Sequence, residues 1–147
     1  MKILGHPLHM MLIHFPAALL PMDVLLSFFA YYNDDSSLLP GAFYCLVTGV
    51  AIGGLAIVTG IIDALRIDKD RKQAIATALI HGFINTVVLV FFGIFAYRAW
   101  QQYPELAMPT VSIIIIKAVF VVLLFAGNYF GGKLILEHSI GLKKIKP

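Results

Sequence analysis

Four long apolar stretches dominate this chain, residues 10–32, 42–65, 74–100 and 111–136, and only short polar connections separate them. The hydrocarbon core of a bilayer is about 30 Å thick and takes roughly 20 helical residues to cross, so each stretch predicts one membrane-spanning helix. Together they occupy most of the 147 residues, which predicts one domain over 1–147. The connections NDDSSLLPG (33–41), RIDKDRK (66–72) and QQYPELAMP (101–109) are turn-forming or charged and favour antiparallel neighbours. The fold class expected is therefore all-α, an integral membrane four-helix up-and-down bundle. With hydrophobic residues at 60% and charged residues at 13%, the chain calls for lipid as its solvent.

The orientation follows from lysine and arginine. Lys2, Arg66, Lys69, Arg71, Lys72, Lys143, Lys144 and Lys146 fall on one side of the bilayer, and only Arg98 lies close to a loop on the other. The positive-inside rule then places both the N and C termini in the cytoplasm. Tyr31, Tyr32, Tyr97, Trp100 and Tyr103 gather at the opposite interface, where amphipathic rings settle. The same rule accounts for the net charge of +3, so the basic balance does not point to nucleic acid. Lys2 before an apolar run resembles a signal peptide, but the run carries three histidines, Asp23 and two interior prolines and offers no A-x-A site, so it is expected to remain as the first helix. Pro16 and Pro21 remove main-chain donors, which predicts a kink between the two halves of that helix. The lone cysteine, Cys45, builds no disulfide or cysteine metal site within one chain.

Ionisable groups inside a span cost about 2.5 to 3.5 kcal/mol each on insertion scales, so each needs a partner or a purpose. Counting about 1.5 Å per helical residue, His6 and His9 lie near the inner interface, His14 about two turns deeper, and His81 about two turns into the third helix. Asp63 ends the second helix on the same side, and His138 closes the fourth. All five histidines and one carboxylate therefore fall in the inner half of the bundle. Gly49, Gly53, Ala56, Gly60 and Asp63 form one stripe on the second helix, and Gly127, Gly131 and His138 share a face of the fourth. Such stripes serve close helix approach or leave space for a flat macrocycle.

Histidines in a bundle core serve as metal ligands, haem ligands, proton relays or hydrogen-bonded structural groups. The reading favoured by five together is a redox cofactor, haem b first and a non-haem metal such as iron or copper second. His14 and His81 are the expected first ligand pair. His6, His9 and His138 supply a second site or support, and Asp63 orients one imidazole. Arg66, Arg71, Lys72 and Lys133 would meet the haem carboxylates, and electrons would pass to or from a quinone or a redox protein. Two other readings stay open. Asp23 and Lys117, at matching depth in the outer half, form either a structural ion pair or, with Asn85 and the histidines, a path for protons or small ions. The chain could instead be a cofactor-free accessory subunit whose stripes pack against a partner. Neither reading excludes a homo-oligomer. No serine or cysteine nucleophile stands beside the histidines, which argues against a hydrolase or acyl transferase.

The opening GHPLHMMLIHFPAALLPMD (Gly5 to Asp23), TGIID (Thr59 to Asp63), His81, and GGKLILEHSIGL (Gly131 to Leu142) resemble the bacterial four-helix membrane proteins grouped as domain of unknown function 2231. The resemblance covers nearly the whole chain. It implies a small, multi-pass protein of the bacterial inner membrane, in a family sometimes joined to Rieske or other redox domains. The family has no agreed catalytic residues to carry over.

Overall fold

The structure is a computed structural model that describes residues 2–3 and 6–140, with side chains from Leu8 onward. His6 is therefore described in its main chain only. Gly5 and residues 141–147, with Lys143, Lys144 and Lys146 of the orientation argument, lie outside the described residues.

Two residue pairs open the chain as a minimal antiparallel ladder, β1 (Lys2–Ile3) against β2 (His6–Pro7). The first span follows as α1 (Leu8–Leu12) and α2 (His14–Asn33). Pro16 has no N–H to offer the carbonyl of Leu12, and the helix is interrupted at Ile13, although Ile13 N still bonds His9 O at 3.1 Å and Ala17 N bonds Ile13 O at 3.2 Å. The interruption falls at Ile13, three residues before Pro16, and Pro21 sits within an unbroken α2. Asp34 ends that helix in the left-handed region at φ 52°, and the next amide, of Asp35, bonds back to the carbonyl of Ala30 at 2.9 Å. A 3-10 turn (Ser36–Leu38) leads into α3 (Leu39–Ala64), with Pro40 in its first turn, where a missing N–H costs nothing. The remaining helices are α4 (Lys72–Gln102) and α5 (Val111–Leu136). The hydroxyl of Thr110 caps α5 by accepting from the amide of Ile113.

Leu8–Asn33, Ser36–Ala64, Lys72–Gln102 and Val111–Leu136 are each long and apolar enough to cross a membrane. Contacts run α2 to α3, α3 to α4, α4 to α5 and α5 back to α2, closing the up-and-down bundle. Its surface is apolar: Phe83 is 72% exposed, Leu79 68% and Val122 66%, which suits lipid and not water. The centre is a small cluster of Leu20, Leu46, Val88, Phe92, Ala96 and Leu124. At the end of the bundle where α2 finishes, Phe43 stacks on Tyr103 with centroids 4.8 Å apart, and the Tyr44 and Tyr103 hydroxyls meet at 2.9 Å. The histidines of interest lie towards the other end.

Candidate functional site

A main-chain carbonyl inside a helix already accepts from the amide four residues on, yet it keeps a second lone pair. A side chain at that fourth residue normally shields it. In α3 the residue four beyond Ala56 is Gly60, and the imidazole of His9 from α1 occupies the space this leaves. Its Nδ1 lies 2.8 Å from the carbonyl oxygen of Ala56. A methyl carbon placed on Gly60 would come within 2.8 Å of the ring's Cε1. Thr59 supports the seat, its Oγ1 3.5 Å from Nδ1 and 3.0 Å from the carbonyls of Leu55 and Ala56.

The other half of the bundle repeats this arrangement. His81 of α4 places Nδ1 2.8 Å from the carbonyl oxygen of Gly127 in α5. Four residues further on is Gly131, where a methyl carbon would again meet the imidazole's Cε1 at 2.8 Å. Asn85 donates to the carbonyl of His81 at 2.8 Å and rests against Gly127, whose added Cβ would lie 2.6 Å from its amide nitrogen. Carbonyl oxygens only accept, so both Nδ1 atoms carry a proton, and the neutral form of each ring has its lone pair on Nε2. The two rings stand 6.2 Å apart between centroids, at 84° to one another.

Both rings border a cavity of 610 Å³ lined mostly by aliphatic side chains, with Asp63, Asn85, Thr86 and Asn128 as its other polar residues. The lining includes Ile61, Leu79 and Phe83, which also face outward on α3 and α4, so the cavity opens at the level of the lipid. Asp63 lies 3.8 Å from Arg66. The Nδ1 atoms of His9 and His81 are held by main-chain carbonyls.

The expected pairing of His14 with His81 is corrected: His14 is exposed on the bundle surface, and His9, one helical turn earlier and on the other side of the Ile13 break, faces His81 instead. His138 belongs to a separate surface pocket of 290 Å³ with Asp70, Arg71 and Lys72, where its carbonyl accepts from Arg71. A second ligand pair of His9 with His138 is therefore not formed. The side chain of His6 lies outside the described residues. Among the described residues no group of three histidine, cysteine or carboxylate side chains is placed to hold a metal ion. Of the basic groups expected to meet haem carboxylates, Arg66 contacts Asp63, Arg71 contacts His138, and Lys133 contacts Glu137 at 3.5 Å.

In the outer half, Lys117 places its ammonium 3.0 and 2.9 Å from the two oxygens of Asp23, the second contact being ionic without hydrogen-bond geometry. Ser27 donates to the first oxygen at 3.3 Å, and the ring of Phe95 lies 5.7 Å from the ammonium. Leu20, Val88 and Leu124, all buried members of the central cluster, lie along their helices between this pair and the imidazoles. The polar path imagined from Asp23 and Lys117 to the histidines is thus interrupted by an apolar layer. Asn128 had no sequence signal that set it apart, and Thr59 stood out only as the start of the TGIID segment. Gly60 and Gly131 stood in the small-residue stripes, with nothing that tied them to the histidines.

Residues 5–144 match the family described as Predicted membrane protein (DUF2231). No curated protein and no solved structure matches the chain.

Proposed function

The chain belongs to the DUF2231 family of predicted membrane proteins, and on that premise we propose that it binds haem b between His9 and His81 and carries electrons to or from a quinone or a protein partner. The observation that carries this reading is the pair of imidazoles with centroids 6.2 Å apart, each hydrogen-bonded through Nδ1 to a main-chain carbonyl, beside a 610 Å³ apolar cavity. Two metal–nitrogen bonds of about 2 Å each, added to the half-widths of two rings, come to about the centroid separation of 6.2 Å. Bare metal ions in proteins generally ask for three or four protein ligands, whereas a porphyrin provides four nitrogens and leaves two positions for the protein. Haem supplies a one-electron couple at iron, tuned by its axial ligands and surroundings.

The residues themselves do the rest. Ala56 and Gly127 fix the tautomer and raise the basicity of each ring through its Nδ1–H. Leu20, Val88 and Leu124 wall the cavity on the outer side and keep water from it. Arg66, flanked by the cavity-lining Leu65 and Ile67, is placed to meet a carboxylate at the mouth. To do so it must release Asp63, an exposed pair of the kind worth about 0–1 kcal/mol. The lysine and arginine distribution supports a cytoplasmic placement of both termini in a bacterial inner membrane, with the histidines in the cytoplasmic leaflet.

The test is an absorption spectrum of the purified protein, oxidised and then dithionite-reduced, from cells supplied with haem. The expected result is a Soret band that sharpens on reduction with resolved α and β bands. His9→Ala and His81→Ala each abolish it, while His14→Ala keeps it. A colourless wild-type protein, or a spectrum lost with His14 and indifferent to His9, overturns the reading.

A further inference from the structure

The seats of His9 and His81 match in more than kind. Along the first helix of each half, His9 and His81 are 72 positions apart, as are the buried Leu20 and Phe92. Along the second, Gly53 and Leu124, Ala56 and Gly127, and Gly60 and Gly131 are each 71 apart, and the first two of these pairs are buried. Both imidazole hydrogen bonds measure 2.8 Å, and both glycines stand 2.8 Å from a ring Cε1 by way of an added methyl. The constant spacing, the common burial and the common hydrogen bond are separate observations with one explanation. We infer that residues 8–64 and 80–135 are two copies of one helical hairpin, and that Gly60 and Gly131 are equivalent positioning residues that seat the two imidazoles by lacking a side chain.

The physical reason is steric. An imidazole reaches a carbonyl inside a helix only where the residue four positions on leaves that lone pair uncovered. At Gly60 and Gly131 a Cβ would lie closer to the ring than real Cβ atoms come. The ring would have to turn on its two side-chain torsions, and its Nδ1 would leave the carbonyl. The protein would then lose the fixed tautomer and the common aim of the two rings. Glycine stripes in membrane helices ordinarily let backbones approach, but here these two positions are filled by side chains from the neighbouring helix. The equivalence bears on the ligand as well, and this step rests on the haem reading: two like nitrogens suit the two faces of a planar metal chelate.

The experiment compares Gly60→Ala and Gly131→Ala with Gly54→Ala and Gly132→Ala, whose added methyls would meet open space. Histidine-labelled protein in detergent, without added haem, is followed by nitrogen NMR, and haem is then titrated in. The expected result is that Gly60→Ala displaces the His9 Nδ1–H signal and spares His81, that Gly131→Ala does the converse, and that each weakens haem binding about 10- to 100-fold. The two controls should match wild type. Unchanged imidazole signals, or equal changes in the controls, overturn the inference. Should Gly60→Ala fail to fold, the His9→Ala/Gly60→Ala double variant decides, because the clash needs both partners. Recovery to the melting temperature of His9→Ala alone supports the inference, and no recovery overturns it. If wild type takes up no haem while the imidazole signals respond in the expected pattern, the haem reading falls and the seating stands.

Discussion

An uncovered carbonyl and a missing Cβ decide where two imidazoles point, so at the scale of single residues glycine contributes as much to the site as histidine. The same economy of short-range bonding governs the loop between α2 and α3. Asp35 accepts from the amide of Ser37 at 2.9 Å, and bonding to Ser37, through its hydroxyl and then its amide, holds the carboxyl below the usual aspartate range. A folded pKa below the unfolded one means that this bond contributes above the ordinary carboxylate pKa and that its contribution is lost as pH falls through the folded value. Carbon NMR titration should find the Asp35 midpoint below that of an ordinary aspartate, and Ser37→Ala should raise it. A midpoint indifferent to that substitution would remove the hydroxyl from the account.

Between elements, the Asp23–Lys117 pair ties α2 of the first hairpin to α5 of the second. It is also where the two halves differ. The positions corresponding to Asp23 and Lys117 are Phe95 and Leu46, both apolar, and Phe95 packs beside the Lys117 ammonium. With Asp23 1% and Lys117 6% exposed, removing one partner leaves an uncompensated charge in an apolar interior. Asp23→Ala is expected to destabilise the bundle by about 3–5 kcal/mol, whereas Asp23→Leu with Lys117→Met should be near neutral or stabilising by about 1–4 kcal/mol. Unfolding followed in mild detergent distinguishes the two. Equal losses in the single and double variants would mean that the pair does more than neutralise itself. The break at Ile13 is the other event at this scale. It sets α1 apart from α2, so His9 and His14 leave the helix in directions that ideal periodicity does not relate.

At the scale of the whole molecule, the four antiparallel spans leave α5 finishing at the end of the bundle where the first span starts, and the proposed orientation sets that end in the cytoplasm by its basic residues. In a Cys45→Ser background, Gln101→Cys should react with an impermeant thiol reagent added outside intact cells, and Asp68→Cys should react only after permeabilisation. The reverse pattern would overturn the proposed orientation and move the histidine cavity to the outer leaflet.

Helix number and bundle class were legible in the chain because both rest on local hydrophobicity and on the bilayer's thickness, and neither depends on what packs against what. The pairing of Asp23 with Lys117 was legible for a related reason, since two opposite charges at one depth in lipid have few other partners. The site was half legible. Depth along a helix survives folding, so the gathering of histidines towards one end could be counted from residue numbers. Azimuth was not so readable: His9 and His14 lie about 140° apart on an ideal helix, and only packing shows that His9 borders the cavity while His14 is exposed. The role of Gly60 and Gly131 was likewise invisible, because a glycine that admits a neighbour's ring reads the same as one that admits a backbone. Tertiary packing alone decided which it was, by placing an imidazole against each one.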